Sequence, residues 1–176
     1  PLFPEGYYFE TQVIASVLSA DQTGSSDILG IIASSAALTV SNIPFDNPIA
    51  GVRIGRLDGK FVVNPDLETV AKSELHLVVA GTADAVMMVE AGANELSEAI
   101  MLEAIELAHA EIKKIVSKIR ELQALAGKPK RKVAKEQIDS ALAAQVKALV
   151  AQGIRDAIMI PNKAARQERL DEVKND

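Results

Sequence analysis

Apolar residues in this chain fall first into short alternating runs and then into stripes with a helical period. The clearest run is "GVRIGRLDGKFVVN" (51–64). Its Asp58-Gly59 pair supplies the positive φ angles that a two-residue type I′ turn requires, so the run predicts a hairpin. Counting outward from the turn pairs Leu57 with Lys60 and Arg56 with Phe61. A second hairpin is predicted from "LHLVVA" (75–80) and "AVMMVEA" (85–91), around the turn Gly81-Thr82-Ala83-Asp84. Upstream, "TQVIASVLSAD" (11–21) is small and β-branched and reads as a strand closed by polar residues. "ILGIIASSAALTV" (28–40) follows candidate N-caps at Ser25, Ser26 and Asp27. It is apolar nearly all round, which predicts a helix buried on most sides. "NIPFDNPIAG" (42–51), with two prolines and two asparagines, is a loop.

The period then changes. Met101, Ile105, Ala108, Ile112, Ile115, Ile119, Leu122 and Ala126 recur at alternating steps of four and three. They predict one long helix with a continuous apolar stripe, about 45 Å long at 1.5 Å per residue. Asn94 or Ser97 can cap its start, Gly127 is placed as a C′ residue, and Pro129 prevents resumption. Ile138, Leu142, Val146 and Leu149 mark a further helix, ended by Gly153. A turn over 154–160 stops at Pro161, and Asn162 caps a last charged helix. The fold class is therefore α+β, with adjacent antiparallel hairpins packed on helices, followed by a small all-α domain. The expected domains are 1–127 and 128–176.

Charge follows the same division. Residues 1–127 carry 8 Lys+Arg against 17 Asp+Glu, net −9, whereas 128–176 carry 11 against 7, net +4. An acidic body with a basic tail suits two modules, the second better matched to a polyanion. There is no cysteine, which excludes disulfides and thiolate metal sites and fits a reducing, cytoplasmic setting. No apolar run reaches the roughly 20 residues of a membrane span. Aromatics are scarce, and four of the six (Phe3, Tyr7, Tyr8 and Phe9) crowd the first nine residues. The chain begins at Pro1 rather than Met, and we expect it to be a cut or partial chain.

The residues offer few candidates for chemistry. The Gly81-Thr82 turn has a strand after it, not the helix N-terminus that a phosphate cradle needs, and no Walker-type run exists. A plain hairpin turn is the stronger reading. His76 and His109 have no histidine or cysteine at metal spacing and read as packing or surface residues. Arg53 and Arg56 are an odd step apart on one strand, so they lie on opposite faces. Each is open to a salt bridge or to a phosphate contact. Lys128, Lys130, Arg131 and Lys132 form a compact basic run. It reads either as a solubilising linker or as a backbone contact to RNA, which needs only charge. No nucleophilic triad or metal cluster is visible.

Four runs carry a further signal: "PLFPEGYYFETQVIASVLSADQ", "DILGIIASSAALTVSNIPF", "NPIAGVRIGRLDGKFVVNP" and "LHLVVAGTADAVMMVEAGANELSE". In order, over 1–127, they closely resemble bacterial-type polynucleotide phosphorylase. Residues 128–176 more weakly resemble the helical linker of that family. The resemblance implies the later part of a first ribonuclease PH-like repeat plus an incomplete linker domain. It implies a parent that is a ring-shaped homotrimer and degrades RNA from the 3′ end with inorganic phosphate, assisted by Mg or Mn. Such a parent acts in the cytoplasm on RNA, in company with other RNA-degradation proteins, and engages neither membrane nor DNA. In an active repeat of the family, two aspartates and a lysine precede the "AGT" turn. Here that place holds Ser73-Glu74-Leu75-His76-Leu77. No catalytic or metal residue can be carried over, so this part is expected to be inactive alone. Its expected RNA contacts are Lys128, Lys130, Arg131, Lys132, Arg53 and Arg56.

Two rival readings remain at this point. One is a separate non-catalytic ring subunit of an exosome-like assembly, for which a helical linker after the repeat is not expected. The other is a small-molecule phosphate-binding domain, for which Ser25-Ser26-Asp27 is a poor opening loop.

Overall fold

A computed structural model describes residues 2–21, 23–134 and 139–175. The chain divides into two compact units, Pro1–Ala134 and Lys135–Asp176.

In the first unit, helix α1 (Ser26–Val40) precedes strands β1 (Ala50–Leu57) and β2 (Lys60–Val63). A short helix α2 (Leu67–Lys72), strands β3 (Leu75–Gly81) and β4 (Val86–Ala93), and the long helix α3 (Glu98–Ala126) complete it. The strands form one antiparallel sheet in the order β2-β1-β3-β4. Both predicted hairpins are present. The register of the first is the expected one, Leu57 with Lys60 and Arg56 with Phe61. Asp58 and Gly59 have φ of 48° and 76°, both left-handed, as a type I′ turn demands.

One face of the sheet makes the core. Val52 and Ile54 of β1 and Leu75, Leu77 and Val79 of β3 lie against Ala104, Ala108, Ile112 and Val116 of α3. All are wholly or almost wholly buried. The buried line of α3 differs from the predicted stripe. Ala104 and Val116 are inside, Met101, Ile105 and Ile115 are at the margin, and Leu122 is exposed. The stripe holds through the middle of the helix, where the sheet lies beneath it. It fails at the far end because no strand reaches that far. Ser97 is the cap, accepting the Ile100 amide. Gly127 is extended rather than left-handed. Its value is closeness instead, since a Cβ there would stand 2.4 Å from the Gln123 carbonyl oxygen.

Several readings of the sequence need correction. Residues 11–21 form no strand among the described residues. A strand's amides and carbonyls need a neighbouring ladder, and β1 and β3 are already paired on both sides. The run's apolar side chains lie open, Leu18 at 96% exposure. Second, α1 is not buried on most sides. Its inner face carries Ile28, Ser35 and Thr39, but Leu29, Ala33 and Ala37 form an exposed row. Third, α2 was not foreseen. Asp66 caps it by accepting the Thr69 amide at 2.7 Å, so the signal lay in an Asp ahead of a short apolar segment.

The second unit pairs α4 (Ser140–Ile158) with α5 (Lys163–Asn175). Asp139 caps α4, and Asn162 accepts the Ala164 and Ala165 amides as expected. Gly153 does not end α4, which runs on through it and through most of the predicted turn. The bare backbone admits Val173 of α5, whose Cγ2 would lie 2.9 Å from a Cβ at 153. Ile138, the first position of the predicted stripe, lies outside the described residues. No helix among the described residues is long and apolar enough to cross a membrane.

Replacing Ile112 by Ala empties the centre of the sheet–helix core. The expected cost is about 2–5 kcal/mol in chemical denaturation followed by circular dichroism. Leu125→Ala, on the exposed end of the same helix, is expected to stay within about 0.5 kcal/mol.

Candidate functional site

The Gly81-Thr82 turn is closed on itself. The Thr82 amide donates to the Ala85 carbonyl at 2.9 Å, and the Thr82 hydroxyl accepts the amides of Asp84 and Ala85. Amides spent inside a turn cannot cradle a phosphate. A bulge at Ala80/Gly81 lets the chain fold tightly here, and a Cβ on Gly81 would stand 2.5 Å from the Ala85 carbonyl oxygen. His109 of α3 reaches the tip, its Nε2 3.1 Å from the Thr82 carbonyl oxygen. That contact makes His109 a strut for the hairpin.

The segment that would carry catalytic carboxylates is also occupied structurally. Ser73 is buried, accepts the Arg56 amide at 2.8 Å and donates to the Leu75 carbonyl at 2.6 Å. Glu74 pairs with Arg56. His76 points to the exposed face, opposite the core residues Leu75 and Leu77. Among the described residues no three His, Cys, Asp or Glu side chains stand close enough together to hold a metal.

The six basic candidates are not one patch. Arg53 and Arg56 lie on opposite faces, and each has a carboxylate partner. Arg53 meets Asp27 at 2.5 Å, and Arg56 meets Glu74. Burial would raise the Asp27 carboxyl. Hydrogen bonds from Ser25 and the Ile28 amide, with the Arg53 charge, outweigh it and hold the group below the usual range. Both arginines are therefore engaged within the fold.

The run 128–132 lies on the first unit as an extended strap. The Lys128 amide donates to the Val40 carbonyl and the Arg131 amide to the Asn42 carbonyl, at 2.9 and 2.8 Å. Lys130 turns inward. Its Nζ donates to the carbonyls of Leu38, Thr39 and Ser41 at 2.9, 2.8 and 2.9 Å. These acceptors stand at the C-terminus of α1, where the helix dipole favours a cation, and that of Leu38 also accepts the Ser41 hydroxyl at 2.8 Å. Burial pushes the Lys130 ammonium below its usual value, with Asp46 opposing. Lys130 is thus a helix cap, a role that sequence spacing could not show. Lys128, Arg131 and Lys132 remain exposed, and Arg131 lies over the Phe9 ring, 5.7 Å from its centroid.

With this geometry in view, known proteins supply a frame. Residues 47–111 match the 3′ exoribonuclease family, domain 2. The polyribonucleotide nucleotidyltransferase of Heliobacterium modesticaldum is 50% identical over 98% of this chain, which spans 24% of that protein. That of Bacillus licheniformis is 48% identical over 100% of this chain and 25% of its own length. The chain matches one quarter of a polyribonucleotide nucleotidyltransferase. The resemblance read from the four sequence runs is borne out. Among solved structures, rice (Oryza sativa) Rrp46 superposes with a TM-score of 0.53 at 19% identity, covering 59% of this chain and 51% of that one. This supports the ribonuclease PH-like α+β fold.

Lys130→Met leaves three carbonyls at the end of α1 without their cation. It is expected to cost about 1–3 kcal/mol, whereas exposed Lys128→Met stays within about 0.5 kcal/mol, both read by chemical denaturation. Asp21, Asp27 and Asp66 are each held below the ordinary aspartate value of 3.8. Their stabilisation is complete above that value and is lost as pH falls through the lower folded values. Thermal unfolding should therefore show a falling midpoint on acidification below about pH 4. Asp27→Asn should shrink that loss.

Proposed function

We propose that this chain is a non-catalytic part of a 3′→5′ phosphorolytic exoribonuclease, a polyribonucleotide nucleotidyltransferase. It comprises the later portion of a first ribonuclease PH-like repeat and the start of a helical linker domain. The observation that carries this reading is identity of 47–50% along essentially the whole chain to enzymes of that name. The chain spans about a quarter of their length, so the parent's chemistry is assigned to the assembled protein. That chemistry is the attack of inorganic phosphate on the 3′-terminal phosphodiester of RNA, releasing a nucleoside diphosphate.

Mg or Mn and phosphate are assigned to the rest of the parent, because no metal residue of the family carries over to this chain. The same holds for acid–base groups, because Ser73, Glu74 and His76 stand where an active repeat has carboxylates and a lysine. The role of the chain is to build a wall of a trimeric ring and to support RNA, in the cytoplasm. The exposed row on α1 and the unladdered run 11–21 are surfaces that such an assembly would cover. Likeness to rice Rrp46 is a likeness of fold and suits a ring subunit equally well. The helical unit that follows the repeat, and identity along the whole of this chain to enzymes named polyribonucleotide nucleotidyltransferase, favour the first reading.

Radiolabelled RNA incubated with the purified chain, phosphate and Mg should release no nucleoside diphosphate, while the full-length parent should release it. Clear release by the chain alone would overturn its assignment as non-catalytic.

A further inference from the structure

Both ends of the first unit meet at the loop that follows α1. The strap (128–134) joins that loop through backbone hydrogen bonds, from the Lys128 amide to Val40 and from the Arg131 amide to Asn42. The N-terminal turn joins it through rings, with Phe3 tilted against buried Phe45 at 5.7 Å. The two ends also touch each other. Gly6 turns with φ +86°, and a Cβ there would lie 2.6 Å from the Ala134 carbonyl oxygen and 3.3 Å from Val133 Cγ1. A side chain at 6 would strain that φ and meet that carbonyl. Arg131 lies over the Phe9 ring, and Phe3 stacks on Tyr7 at 5.7 Å. Turn, loop and strap thus close a circuit in which each touches the other two.

Lys130 pins the circuit. A primary ammonium has three N–H donors, and this one finds three carbonyls, of Leu38, Thr39 and Ser41, at 2.9, 2.8 and 2.9 Å. No donor is left over. The backbone bonds of Lys128 and Arg131 flank the pin, so Nζ leaves its cradle only as the strap lifts. Burial opposes the charge and Asp46 favours it. Docking is therefore a balance between lost hydration and charge-assisted hydrogen bonds. None of these residues belongs to the core formed by the sheet and α3, so the circuit can open while that core stays folded.

We propose that the first unit is closed by a clasp: the N-terminal turn, the loop after α1 and the strap open and close together, and Lys130 in its carbonyl cradle holds them shut. The second unit begins at Lys135, directly after the strap. The clasp therefore fixes the point at which the chain leaves the first unit, and an open clasp releases it.

Native-state hydrogen exchange on the whole chain, followed by NMR over a denaturant series, tests this. In the unaltered chain the Lys128 and Arg131 amides should share one opening free energy, below that of the β1 and β3 amides. Lys130→Ala should speed exchange at both strap amides at least about tenfold. Gly6→Ala, which removes neither amide's acceptor, should speed both by a similar factor, because coupling through one two-state element is reciprocal. Both variants should also weaken near-ultraviolet circular dichroism at the tyrosine wavelength. That signal reports on the turn, since Tyr7 and Tyr8 are the two tyrosines and there is no tryptophan. The β1 and β3 amides should stay protected in each variant. Lys130→Ala vacates the outline of propylammonium, so that ion at about 0.1 M should slow strap exchange again. Tetramethylammonium, which has no N–H, should not. The clasp is overturned if Gly6→Ala changes the tyrosine signal and leaves the strap amides alone, or if Lys130→Ala does the reverse, because the contacts are then independent. It is overturned equally if the two ions act alike. Even where a variant fails to fold, the unaltered chain decides: strap amides that open at different free energies, or only with the core, overturn the clasp.

Discussion

The pairing of β1 with β3 is the constraint on which the first unit depends. Each belongs to a local hairpin, and either hairpin alone would be marginal in water. Joined through the register Val52–Val79 and Ile54–Leu77, they present one apolar face wide enough to seat α3. The helix can sit close because Ala104 and Ala108 face the strands, leaving Ile112 and Val116 to fill the space beyond. The His109 contact with Thr82 follows from where that helix lies.

Electrostatics in this chain serve the fold before they serve a ligand. Arg53 holds the start of α1 through Asp27, Arg56 holds Glu74 at the entry to β3, and Lys130 closes the end of α1. Three of six basic residues that could have met phosphate are thereby spent. The cations left over lie on the strap at 128–132, beside the rings of the N-terminal turn. Selection among charges of one sign is therefore made by burial, which decides which ones find carbonyls or carboxylates and which ones face solvent.

Elements governed by local rules were legible from sequence. The Asp58-Gly59 turn fixed its own register, Ser97 and Asn162 capped the helices they precede, and the strand after Gly81 argued against a phosphate cradle. What could not be read were matters of neighbourhood. The run 11–21 has strand composition, but composition does not supply a ladder partner. Gly153 looks like a stop, yet it is a gap shaped for Val173. Lys130 and Lys128 are indistinguishable by charge and differ only because the strap turns one of them toward three carbonyls 89 to 92 residues away in sequence. The same limit applies to Phe9 and Arg131, which meet only once the chain has folded.

The open face of α1 and the bare run before it bear on how such a chain fares in a cell. Leu29, Ala33 and Ala37 beside Val13, Ile14, Val17 and Leu18 are the kind of surface that chaperones and proteases read as unfinished folding. Made alone, the first unit would carry a stable core and yet present itself as a nascent chain. Its lifetime would be set by how soon a partner surface hides those side chains, and not by the strength of its core.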